Sequence, residues 1–151
     1  MLRMVEQVAA MLARLLAKKQ AGQIVEARSE AENICAQNIG LTLTELKRLS
    51  PEAVAQLLDK VGGLRTIRAV TLAELLLVDA ELHEADKIPS QTLSNHVHAF
   101  CLLADAVDTL SPEEQVFYRS KLDLLAGKLG DLRNHPYIQA KMRVSGTSKH
   151  G

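Results

Sequence analysis

The chain has no tryptophan, two phenylalanines and two tyrosines, so aromatics make up 3% of its 151 residues while hydrophobic residues make up 47%. A core of that composition must be filled by Leu, Ala, Val and Ile, which suits interdigitating helices better than a β-sandwich. Cysteine is scarce too. Cys35 and Cys101 lie far apart with no C-x-x-C spacing. That excludes a disulfide framework and predicts buried free thiols in a reducing cytoplasm. Neither sign of charge is in excess, 18 basic residues standing against 18 acidic ones. The balance argues against nucleic acid as a partner, because domains that hold polyanions carry a marked basic excess. Glu74 and Asp79 interrupt the longest apolar stretch well short of about 18 uncharged residues, so no transmembrane segment is expected. Glu6, Gln7 and Arg14 break the hydrophobic run at the start, and no convincing small-residue cleavage site follows, so no secretory signal is expected either. Neither G-x-G-x-x-G nor G-x-x-x-x-G-K-[ST] occurs, so no nucleotide cofactor is signalled.

What the chain does have is helical periodicity. The stretch 64–85 places Leu64, Ile67, Thr71, Leu75, Val78, Leu82 and Ala85 on one stripe, with Ala69, Leu72, Ala73, Leu76 and Ala80 on a second beside it. A helix apolar over more than half its circumference needs helices on two sides, so it is the expected centre of the fold. Before it, a helix over 2–20 presents Leu2, Val5, Val8, Ala9, Leu12, Leu15 and Leu16 on a broad face and ends at Gly22. A second, over 23–37, is stopped by Gly40. Thr42 with Glu45 forms a capping-box signature for a short helix over 43–49, and Ser50-Pro51-Glu52 starts another that Gly62-Gly63 closes. Ser90 is expected to cap a helix running to about Thr109, and Ser111-Pro112-Glu113-Glu114 is the strongest helix start in the chain. Residues 1–133 form one domain by length and pattern, and 134–151 a C-terminal extension that loses periodicity, with a mobile tail from about Ser145.

A faint internal echo runs through this order. Ala27, Ala31 and Ile34 stand at offsets 0, 4 and 7 in the second helix, and Ala99, Leu103 and Ala106 repeat those offsets after the central helix. Small residues there let helix axes approach closely, as paired helices in a solenoid require. The run Gly22-Gln-Ile24-Val-Glu26-Ala27, followed by Ala31 and Ile34, resembles the turn and second helix of a tetratricopeptide (TPR) unit. More narrowly, the chain is similar to a small bacterial TPR-like family of unassigned function. The resemblance implies an all-α fold of TPR-like antiparallel helical hairpins with two short inserted helices, in a right-handed superhelical array. It also implies a non-catalytic scaffold that binds a protein or peptide on a concave face lined by the first helix of each hairpin.

Such a face makes Arg3, Arg14, Lys18, Arg65 and Arg68 the candidate partner-binding residues, a cationic strip able to hold a peptide carboxylate through paired N–H donors. The other class is a small helical enzyme or small-molecule binder with a site around Asp79, His83 and His96. His83, Glu84, His96 and His98 invite a metal site, but His96 and His98 point about 200° apart on one helix, so both reach one ion only if the helix breaks. No metal is expected. The cysteines lack the local turn that activates a nucleophile. The apolar face of the first helix is expected to pack on the chain's own core; its other uses are a membrane surface or a homodimer.

Overall fold

The computed structural model describes residues 2–60, 65–84 and 89–145, with side chains at 10–59, 65–82, 94–130 and 132–143. Within these residues the chain is all-helical. The helices are α1 (Leu2–Gln20), α2 (Ile24–Ile39), α3 (Leu43–Leu46), α4 (Pro51–Lys60), α5 (Arg65–Glu84), α6 (Pro89–Ala106), α7 (Pro112–Ala126) and α8 (Pro136–Ser145). Short 3-10 turns cover Val107–Thr109 and Gly130–Asn134.

Local chemistry sets most of these boundaries. Gly22 and Gly40 adopt φ of 81° and 92°, the left-handed region that ends a helix without a Cβ penalty, and the Gly40 N–H donates to the Ala36 carbonyl. Thr42 and Ser111 each form a complete capping box with Glu45 and Glu114. The Ser50 hydroxyl accepts from the Ala53 N–H at 3.1 Å and so starts α4. Two ends differ from expectation. α6 begins at Pro89 rather than at Ser90, proline being well suited to a first helical turn. It ends at Ala106, where the tighter turn takes over and the Thr109 hydroxyl donates back to the Ala106 carbonyl at 2.7 Å. The Gly62-Gly63 stop lies outside the described residues.

α5 is the centre. From Ala69 to Leu82 every residue is buried except Thr71, Leu77 and Glu81. Its most extensive interface is with α6, and α1, α2 and α4 also pack on it. The α5–α6 pair is antiparallel: Thr66 meets Thr109 at 2.9 Å near one end, while Asn95 donates to the Leu76 carbonyl at 3.0 Å toward the other. α1 and α2 form a hairpin about Gly22, with Leu15, Ala27, Ala31 and Cys35 fully buried. On the far side α7 buries Tyr118, Leu122 and Leu125, a stripe at helical spacing that Leu129 continues.

The expected division at 133/134 does not divide the core. α8 packs on α6 and contributes Ile138 and Met142 to the same apolar cluster. Its apolar spacing is a single i,i+4 pair behind Pro136, too short to read as a period. The tail expected from Ser145 lies almost wholly outside the described residues.

Candidate functional site

Between α1 and α7, with α5 as its floor, runs an open groove of about 340 Å³. Leu12 and Leu16 of α1 form one wall, Leu124 and Leu125 of α7 the other, and Leu77, Val78 and Ala80 the floor. The groove exists because α1 and α7 pack from different sides and leave Leu77 only half-covered. Charge sits at its edges. Glu74, almost fully buried, forms an ion pair with Lys121, whose ammonium also lies 5.2 Å from the Phe117 ring centre. Lys19 holds Glu81 at 3.6 Å, and Lys128 stands exposed at the α7 end.

The expected cationic strip is largely engaged within the chain. Arg14 and Lys18 converge on Glu30 of α2, at 2.6 and 2.5 Å. Arg65 pairs with Asp59 of α4 at 2.6 Å. Arg68 is half-buried on α5, and the Arg3 side chain lies outside the described residues. The structure thus brings Arg14 and Lys18 together on one carboxylate and places Arg65 on another.

The Glu30 cluster has a pH signature. The hydrogen bond from Lys18, with a further bond and charge from Arg14, outweighs partial burial and holds the Glu30 carboxyl below its ordinary value of 4.5. Its stabilisation is complete above that value and is lost as pH falls through the lower folded-state value, because the unfolded chain then binds the proton first. Glu30→Gln is expected to cost at most about 1 kcal/mol at neutral pH and to remove that part of the acid limb below about pH 4.5. Urea unfolding of both proteins over this range checks it; parallel curves would assign the acid sensitivity elsewhere.

Asp79 and His96 do not gather in the groove. His96 lines it, whereas Asp79 is outside the lining, held by Lys47 at 2.7 Å and by Asn95 at 2.8 Å. The His83 side chain lies outside the described residues. His98 faces elsewhere: its ring nitrogens meet the Ser94 and Leu49 carbonyl oxygens at 2.9 and 2.7 Å, tying the segment before α4 to α6. Both ring nitrogens are thus directed at backbone carbonyls and not at a site shared with His96. Among the described residues no group of three or more His, Cys, Asp or Glu side chains could hold a metal ion. Cys35 and Cys101 are buried, and burial pushes both thiols up to about 12, far from the reactive thiolate. Among the described residues, no helix is long and apolar enough to cross a membrane.

The chain matches no protein family, no curated protein and no solved structure. The TPR resemblance therefore rests on Gly22, Ile24, Ala27, Ala31 and Ile34 alone. Ala27 and Ala31 are fully buried, and Ile24 and Ile34 pack half-covered against the core.

Sequence reasoning missed the groove and the outer face of α7, where Val116, Phe117 and Leu124 are 72%, 49% and 69% exposed. A signal was present. Tyr118, Leu122, Leu125 and Leu129 already supply a full core stripe, so three further large apolar residues on the same helix are surplus to it.

Proposed function

We propose that the protein is a non-catalytic interaction module, a TPR-like scaffold that holds a helical segment of a protein partner in the groove between α1, α5 and α7. The observation that carries this reading is the groove's lining, an apolar trough of Leu12, Leu16, Leu77 and Leu124 with charged side chains at its lips. That arrangement suits an amphipathic helix docked with its apolar stripe downward. The groove's volume is at the low end for a ligand site and fits a few anchoring side chains rather than a large cofactor.

The TPR-like design draws on the α1–α2 turn at Gly22, the close approach that Ala27 and Ala31 allow, and the packing of both helices on α5, and a right-handed array is the arrangement such a design would take. The reading as an enzyme or small-molecule binder draws on His96, which faces the groove beside the Glu74–Lys121 pair. It is the weaker one, because Asp79 is turned to Lys47 and Asn95 instead.

Affinity capture with mass spectrometry tests the proposal. Leu16→Glu puts a charge on the groove wall at a half-exposed position and should leave the fold intact by circular dichroism. A partner captured by the wild type should be lost by Leu16→Glu and kept by Arg68→Glu. Capture unchanged by Leu16→Glu would remove the groove, and loss with Arg68→Glu alone would move the site to the basic edge.

A further inference from the structure

We propose that the outer face of α7 is a self-association surface, where two copies of the chain pair their α7 helices antiparallel about a two-fold axis beside Ser120. This reading goes beyond the groove's partner, and because Leu124 and Lys128 also line the groove, a second copy and that partner would compete for this side of α7.

The surface is built from residues the fold leaves uncovered. Glu113, Val116, Phe117, Ser120, Leu124 and Lys128 are all exposed. Glu113, Phe117 and Leu124 fall within about 40° of one another around the helix, at offsets of 0, 4 and 11 residues, Ser120 lies beside them, and Lys128 follows in the turn just past the helix end, its N–H donating to the Leu125 carbonyl at 2.8 Å. This stripe sits apart from the core stripe of Tyr118, Leu122, Leu125 and Leu129, so it plays no part in holding α7 to the domain. Val116, Phe117 and Leu124, at 72%, 49% and 69% exposure, are not required for packing, and large apolar side chains left exposed on one side of a helix mark an interface.

The identity of the occupant comes from charge order. Along the stripe the sequence runs acid, apolar, small, apolar, base. Turned end for end and laid on itself, Glu113 of one copy faces Lys128 of the other, twice, and Phe117 faces Leu124, twice. Parallel pairing would instead set acid against acid and base against base. No ion pair of Glu113 or Lys128 occurs among the described residues, so both remain available to a second copy. Ser120 at the centre lets the two helix axes approach closely. The pattern is self-complementary in the way an isologous interface requires, where each residue meets its counterpart's partner. The Phe117 ring is held in place by Tyr118, edge-on with ring centres 4.9 Å apart, so it meets the second copy already oriented.

Light scattering and sedimentation of the full chain over roughly 1 to 100 µM, the range for a modest interface, provide the test. The wild type should shift from monomer to dimer across that range, and Leu124→Glu should remain monomeric. Glu113→Lys and Lys128→Glu should each weaken the dimer at least about tenfold, since each creates two like-charge contacts. Mixed together, these two variants should recover it, because the heterodimer restores both opposite-charge pairs. Ser120→Cys should form a disulfide-linked dimer on mild oxidation, while the buried Cys35 and Cys101 leave the wild type uncrosslinked. A wild type that stays monomeric throughout, a dimer that survives Leu124→Glu, or variants that do not complement each other would overturn the proposal. All substituted positions are solvent-exposed, so a native circular dichroism spectrum is expected for each.

Discussion

Leu75→Asp is expected to abolish the folded state. Leu75 is fully buried at the middle of α5, the helix on which α1, α2, α4 and α6 all pack. Truncating a buried leucine alone costs about 2–5 kcal/mol. Aspartate adds the penalty of placing a carboxyl group at a fully buried position of the apolar cluster, several kcal/mol more even if it takes up a proton. The total rivals the roughly 5–15 kcal/mol by which domains of this kind are stable. Leu76→Asp should behave alike, since Leu76 is also fully buried and belongs to the neighbouring stripe. Far-UV circular dichroism and thermal melting decide the matter. A cooperative melt within about 5 °C of the wild type would mean that α5 is not the organising element. Arg68→Glu, on the same helix at a half-buried position, should keep a cooperative melt, since it opens no cavity in the core.

Lys47→Met carries the second large effect. Lys47, just past α3, reaches across to Asp79 of α5, whose side chain is 6% exposed, and Asn95 of α6 completes the arrangement. Removing one partner of a buried pair typically costs 3–5 kcal/mol, because a charge is left with less compensation. The lysine retains some solvent contact, so about 3 kcal/mol is the expected loss, equivalent to a fall in Tm of roughly 6–12 °C for a chain of this size. The double variant Lys47→Met/Asp79→Leu should recover much of it, since apolar groups of similar volume can replace a buried ion pair. Urea unfolding of the three proteins measures this. No recovery in the double variant would assign Asp79 a further structural role in holding α6 through Asn95.

Both effects bear on how far local signals reach. The centrality of 64–85 follows from its two apolar stripes, and the structure buries Leu75, Leu76 and their neighbours as those stripes require. Lys47–Asp79 had no sequence signal. The residues are 32 apart, and each on its own reads as an ordinary surface charge. The same holds for the basic candidates: Arg14 and Lys18 share a helix face by spacing, but only the position of α2 shows that Glu30 occupies them. His96 and His98 divide as helical geometry predicts, one into the groove and one onto the Leu49 carbonyl. α8 was lost in the tail because a ten-residue helix with one buried i,i+4 pair offers too short a period to read.

The sequence by itself determined the all-helical class, the central helix and most helix ends, because caps, left-handed glycines and 3.6-residue periodicity act within one or two turns of chain. The tertiary structure alone decided that α1 and α7 stand apart over Leu77 to leave a groove, that Lys47 serves Asp79, and that Val116, Phe117 and Leu124 face solvent. Those outcomes depend on which helix faces meet, and that is settled by packing and desolvation among residues distant in the chain.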